Sequence, residues 1–362
     1  MQIMAPLNKP LRTACLALLA LVGVVAAQAD ELLFSSTVSG SMQLHALSEG
    51  GKSARALTTG PGDNDNAVWS ADGRRIAFVS TRDGRPQVYV MNADGTGQLR
   101  VSGPGDFGQS PAWSADSRSL AYTSHRDGKH GLYTQLLGSG QERLVLTAIG
   151  GVTSVAWSAN GEKLAFATST GVRKGNVLIA DLRTGTTVPL ALEEGASNFR
   201  PVWSPDGGRL AYIASAGRKG INVYTCKADG SDVKAVTKTI YSSAAPAWSP
   251  DGKTIAFTSN LEAGDRSEIF VADVASGNVR NLTQHEHEDI EPAWAADSRS
   301  IYFVSFRSGT SQLYRVALDG TTQRVSLAAH YESTPLPRPG AAASVTAAAT
   351  QDNPANRPIR KE

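Results

Sequence analysis

The chain has six tryptophans, Trp69, Trp113, Trp157, Trp203, Trp248 and Trp294, and they recur at intervals of 44 to 46 residues. A period of this size belongs to proteins built by stacking one supersecondary unit, and a four-stranded propeller blade has about this length. Each tryptophan opens the same local pattern. The fifth copy reads Pro246-Ala247-Trp248-Ser249-Pro250-Asp251-Gly252, then Thr254-Ile255-Ala256-Phe257-Thr258-Ser259. Two apolar strands flank a Ser-Pro-Asp-Gly corner, and proline second with glycine fourth suits a type I turn. Asp72, Asp116, Asp206, Asp251 and Asp297 share the aspartate position, with Asn160 in the remaining copy. A third strand follows (Val88-Tyr89-Val90, Ile269-Phe270-Val271), and a short fourth closes the unit (Asn281-Leu282-Thr283). These strands are called A to D below.

The chain ends decide the number of units. Before Trp69 lie a B strand at Leu32-Ser36, a C strand at Met42-Leu47 and a D strand at Arg55-Thr58, but no A strand. After the sixth unit, Glu332-Ser333-Thr334-Pro335-Leu336-Pro337 lines up with Asp289-Ile290-Glu291-Pro292-Ala293-Trp294, as an A strand alone. The two fragments make one blade, and their pairing removes an open sheet edge. The expected fold is therefore an all-β propeller over residues 30–337. It has seven four-stranded blades, six whole and one closed by both ends; a six-bladed ring with an extra amino-terminal sheet is the alternative.

Outside the repeats, residues 1–29 read as a signal peptide. Lys9 and Arg12 precede an apolar run from Cys15 to Ala27, and Ala27-Gln28-Ala29 is a small-x-small cleavage site. The run is too short for an ordinary transmembrane helix, and Cys15 stands at its start, where no lipoprotein signal places its cysteine. A periplasmic or secreted location follows, after cleavage near Ala29. Residues 338–362, rich in Ala, Pro and Thr with scattered charge, read as a disordered tail. Cleavage takes Lys9 and Arg12 from a formal charge of +2, so the mature chain is neutral. Such a balance lacks the basic footprint of nucleic-acid binding. Cys226 is then the lone cysteine, expected as a small buried side chain.

The pattern Pro-x-Trp-Ser-Pro-Asp-Gly, then Ile-Ala-Phe-x-Ser, then an Ile-Tyr-Val-like strand, resembles the WD-like repeats of TolB propellers. It covers almost all of residues 32–337. The resemblance implies a periplasmic propeller that binds a protein on one face. TolB-like proteins also place an α/β domain before the propeller, and none is expected here, because the repeat begins close to the cleavage site. Similar repeats gate prolyl-oligopeptidase-like peptidases, whose hydrolase domain needs a Gly-x-Ser-x-Gly elbow that this sequence lacks.

Recurrence separates scaffold from candidate site. The tryptophans, the corner aspartates and the Ser-x-Arg runs at Ser80-Arg82, Ser124-Arg126 and Ser305-Arg307 repeat, and read as scaffold. The D-to-A loops differ from blade to blade. Asn64, Asp65, Gln109, Asn198, Arg200, Asp289, Glu291 and Glu332 are the expected partner-binding set there. Three histidines, His285, His287 and His330, fall in two consecutive D-to-A loops near Glu286, Asp289 and Glu332. Imidazoles with carboxylates suit Zn²⁺ or Mn²⁺. That set resembles the metal-bearing propeller of oligogalacturonate lyases, where the metal assists β-elimination from a uronic acid chain.

The expected function is a non-enzymatic, monomeric binding scaffold with no cofactor and no catalytic residue. Its partner would be a cell-envelope protein or, as a second possibility, a polysaccharide. The competing class is a metal-dependent polysaccharide lyase or hydrolase using the histidines.

Overall fold

The structure, a computed structural model, describes residues 31–48, 54–103, 107–148, 150–169, 175–190, 197–215, 220–262, 266–326 and 330–340. The signal-peptide segment and residues 341–362 of the expected tail lie outside them. The described residues form seven four-stranded antiparallel sheets, each in the strand order A-B-C-D, arranged as a seven-bladed propeller. Blades 1 to 6 are headed by the six tryptophans. Their innermost A strands are Asn64–Trp69, Phe107–Trp113, Gly151–Trp157, Ser197–Trp203, Ser243–Trp248 and Asp289–Trp294. Blade 7 joins strand A at Glu332–Pro337 to B, C and D at Leu32–Ser36, Gln43–Leu47 and Ala54–Ala56.

The repeat motif builds the corner between A and B. In blade 1, Ser70 Oγ donates to Asp72 Oδ1 at 2.6 Å and accepts from Arg75 N at 2.9 Å. Gly73 N closes on Ser70 O at 2.8 Å. Gly73 has φ +65°, Gly161, Gly207 and Gly252 have φ +69° to +74°, and Ser117 and Ser298 adopt the same left-handed conformation in two blades. Serine and aspartate thus satisfy backbone groups that the bend would leave bare.

The tryptophan joins blade to blade. The Nε1 of Trp69, Trp113, Trp203, Trp248 and Trp294 donates to Leu336, Val68, Ala156, Val202 and Ala247 O, at 3.0–3.2 Å. Each acceptor belongs to strand A of the preceding blade. Trp157 departs from this pattern and donates at 2.9 Å to Gly161 O in its own corner.

Within blades, the aromatic of strand B faces that of strand C. Phe78 with Tyr89, Tyr122 with Tyr133, Tyr212 with Tyr224, Phe257 with Phe270 and Phe303 with Tyr314 are cross-strand partners, centroids 5.7–6.1 Å apart. Such pairs fix register and fill the space between blades. Cys226 is fully buried in one of these layers, and burial pushes its thiol up to about 11.

Blade 7 has no covalent A-to-B corner, and Arg338 supplies the missing contacts. Its N–H donates to Glu31 O at 2.8 Å, the bond that Ser70 N makes to Arg75 O in blade 1. Its guanidinium pairs with Glu31 at 3.1 Å, donates to Gly73 O at 2.8 Å and lies 5.3 Å from the Trp69 ring centroid. Arg338, placed by the sequence at the head of the tail, thus completes the ring.

Candidate functional site

The ring has two faces. One carries the A-to-B corners; the other, here the loop face, carries the D-to-A and B-to-C loops. On the corner face a concavity of about 370 Å³ is lined by Trp69, Trp113, Trp157, Pro111 and Pro205, with neighbouring alanines and serines. These are repeat residues, present for packing. Variation is concentrated on the loop face.

Four of the residues expected to meet a partner there are instead buried. Asn64, Asn198, Asp289 and Glu332 are at most 2% exposed. All stand at one structural position, five residues before the blade's tryptophan or, in blade 7, before Pro337, on a rung that joins strands A, B and C. The B strand usually contributes serine there (Ser36, Ser80, Ser124, Ser259, Ser305). The C strand contributes an amide or acid: Gln43, Gln87, Asn176, Asn222, Glu268 or Gln312. These groups latch one blade to the next. Asn64 N donates to Met42 O at 2.8 Å, and Asn64 Nδ2 to Gln43 Oε1 at 2.9 Å. Asp289 N donates to Ser267 O at 2.8 Å, and Glu332 N to Ser311 O at 3.1 Å. The polar loop residues are therefore spent inside the seams, because a buried N–H or carbonyl must find a partner.

The Ser-x-Arg runs belong to the same latch, as expected of scaffold. Arg82 donates through Nε to Ser80 Oγ at 2.9 Å and through Nη2 to Asn64 Oδ1 at 2.9 Å, and lies 4.6 Å from the Tyr89 centroid. Arg307 repeats this with Ser305 and Asp289, both at 2.8 Å, over Tyr314 at 4.7 Å. Arg126 instead grips Glu142 with two bonds of 2.6 and 2.7 Å.

At the seam between blades 5 and 6 the latch is acidic on both sides. Burial raises the Glu268 carboxyl above its ordinary value, and the neighbouring Asp289 carboxylate raises it further. Burial raises Asp289 as well, with the Arg307 charge pulling the other way. Thr283 Oγ1 and His285 N donate to Glu268 at 2.5 and 2.9 Å. Glu332 is likewise raised by burial.

Of the three histidines of the competing reading, His285 and His287 lie together, ring centroids 5.5 Å apart. His287 N donates to His285 Nδ1 at 3.1 Å, so one imidazole nitrogen already accepts a backbone bond. His287 and His330 point to solvent. Among the described residues, no three His, Cys, Asp or Glu side chains are placed to hold a metal ion.

Asp65, Gln109, Arg200 and Glu291 remain accessible, wholly or in part. Beside them the loop face exposes large apolar side chains that the sequence reading passed over: Val38, Phe107, Ile240, Tyr241 and Tyr331, with Ile240 75% exposed. The Ile240-Tyr241 segment is held in place. Ile221 N donates to Tyr241 O at 3.1 Å, and a Cβ on Gly220 (φ +77°) would lie 2.4 Å from that oxygen. Bulky apolar residues in otherwise polar loops were the available signal. The other large apolar residues that are exposed lie on or beside the outermost strands, among them Leu99, Leu144 and Val279.

Comparison with known proteins supports this architecture. The family described as Tricorn protease N-terminal beta propeller domain matches residues 27–239, and the TolB beta propeller domain matches residues 197–356. TolB from Acinetobacter baumannii is 18% identical, with a TM-score of 0.54 over 82% of this chain and 79% of that one. An oligogalacturonate lyase in complex with manganese is 18% identical, with a TM-score of 0.61 over 83% and 86%. A puromycin hydrolase is 13% identical, with a TM-score of 0.66 over 83% of this chain and 52% of that one. At these identities the likeness is one of fold. No curated protein matches the sequence.

Proposed function

This chain belongs to the Tricorn protease N-terminal β-propeller family and is a TolB-like propeller, and we propose that it is a non-enzymatic binding propeller whose loop face holds a protein partner. The observation that carries this reading is the set of exposed apolar side chains on that face. Val38, Phe107, Ile240, Tyr241 and Tyr331 all sit in D-to-A or B-to-C loops, or at the start of an A strand. Apolar surface rimmed by polar loops marks a site of association. The same fold carries unrelated activities, so this surface, and not the fold, supports the reading. The proposed location is the periplasm or the cell exterior, from the leader-like segment before Ala29. No helix among the described residues is long and apolar enough to cross a membrane.

The test uses mature protein in a pull-down from periplasmic extract. Phe107→Ala combined with Tyr241→Ala should abolish capture of a wild-type partner while leaving the melting temperature within about 2 °C, as surface changes do. A full equivalent of Zn²⁺ or Mn²⁺ in untreated, untagged protein, lost in His285→Ala and accompanied by turnover of an acidic polysaccharide, would overturn the reading in favour of an enzyme.

A further inference from the structure

The A strand of every blade carries a bulge three residues before its tryptophan or, in blade 7, before Pro337. The residue there is never glycine yet always left-handed: Asn66, Ser110, Ser154, Arg200, Ala245, Glu291 and Thr334, with φ between +48° and +56°. Seven repetitions of a disfavoured conformation need a geometric reason. Strand A is innermost, so one of its edges has no strand beside it and faces the axis of the ring. In an antiparallel strand successive N–H groups leave by alternate edges. The residue two places before the bulge sends its N–H out by the unpaired edge, as Asn64, Gly108, Asp289 and Glu332 do toward the preceding blade. The bulge residue stands two places further on, so its N–H leaves by that same edge.

One of these seven donors shows what it can hold. Thr334 N donates to Glu291 Oε2 at 2.7 Å, a carboxylate reaching across from the bulge of the adjacent blade. Blade 4 offers a stronger receptor. Its bulge residue is Arg200, exposed, and among the described residues its guanidinium is held by no hydrogen bond or ion pair. The bulges on either side, Ser154 and Ala245, are neutral, while the acids Asp65 and Glu291 belong to blades 1 and 6.

We propose that the axial channel holds a carboxylate-binding collar. Its strongest point is the Arg200 guanidinium with the bulge N–H groups of blades 3 to 5, and it receives an acidic side chain or terminal carboxylate of a peptide partner. This rests on the binding function proposed above. A planar guanidinium matches a carboxylate with two parallel bonds, and a concave set of backbone N–H groups adds fixed partial charges. Glu291 is then an internal occupant of the same collar at blade 7.

Three peptides test this against mature protein by backbone amide NMR: N-acetyl-Ala-Glu-Ala-amide, N-acetyl-Ala-Gln-Ala with a free carboxyl terminus, and N-acetyl-Ala-Gln-Ala-amide. At least one of the first two should shift the Ser154, Arg200 and Ala245 amides downfield, and the third should not. Which of the two acts identifies the source of the carboxylate. Arg200→Ala should weaken the response about tenfold, the range of one charged hydrogen bond, and Arg200→Lys should restore part of it. Glu291→Ala should move the Thr334 amide upfield. Equal responses to all three peptides, or none at these amides, overturn the collar even where extract partner is still captured. Loss of capture by the Phe107/Tyr241 variant with the collar response intact supports the collar and the loop-face reading together. Failure of wild-type protein to capture anything, with the collar response intact, overturns only the loop-face reading.

Discussion

The corner face and the loop face solve the same problem, holding one blade to the next, by opposite means. On the corner face the solution is uniform: five of six indoles donate to the carbonyl at the same place in the preceding blade. On the loop face each seam has its own chemistry. An amide pair joins blades 7 and 1, two acids meet between blades 5 and 6, and Glu332 locks blades 6 and 7 through Leu313 N and Ser326 Oγ. Uniformity marks what every blade needs. Variety on the other face reflects neighbours that differ, and so it does not by itself mark recognition.

The largest effect is expected where both faces depend on non-covalent closure, in blade 7. A chain ended after Ser326 loses strand A of that blade, the acceptor of Trp69, and Arg338. Because repeats are stabilised by their neighbours, the loss should approach the whole stability of a domain, on the order of 5–15 kcal/mol. Thermal melting and size exclusion read it out, and a monomer with unchanged melting would refute the closure. Ending at Gly340 should be silent, whereas ending at Pro337 should cost roughly 1–3 kcal/mol through the contacts of Arg338.

Next come the indoles. Trp248→Ala should cost about 3–5 kcal/mol through the cavity left behind, with similar values at Trp69, Trp113, Trp203 and Trp294. Trp→Phe sharpens the contrast. At Trp248 it also removes a bond between blades, worth about 1 kcal/mol, and at Trp157 it removes one within a single corner. Denaturant titration across the series would break the claimed uniformity if the five values scatter as widely as those of the loop face.

On the loop face, Asp289→Ala should cost roughly 3 kcal/mol, because it strips a largely buried guanidinium of its carboxylate. A variant of unchanged stability would return Asp289 to the exposed recognition set where sequence reasoning had put it.

The smallest and most specific effect is at Glu268. Gln43, Gln87 and Gln312 occupy its position in other blades, so Glu268→Gln restores the repeat and places an N–H donor beside Asp289. The folded Glu268 carboxyl titrates above its ordinary value. Its contribution to stability is therefore complete below the ordinary carboxylate range and is lost as pH rises through the folded value. The variant should match wild type near pH 3 and exceed it by about 0.5–2 kcal/mol at pH 7. Melting across that range checks it, and an advantage that grows on acidification would contradict the burial argument.

Period, corner chemistry and the complementary chain ends pointed, from sequence alone, to a seven-bladed ring closed by Glu332–Pro337, with six blades as the alternative that the structure removes. Each of those signals acts over a few residues or repeats many times, so no long-range information was needed to read it. The scaffold role of Arg82, Arg126 and Arg307 was legible for the same reason. Burial at Asn64, Asn198, Asp289 and Glu332 was not, because a polar residue beside a loop looks the same whether it faces water or the neighbouring blade. Packing of one blade against the next settles that. Arg338 shows the limit most plainly. In sequence it opens a tail rich in alanine and proline, and only the return of the chain to Glu31 and Trp69 makes it the corner that blade 7 lacks.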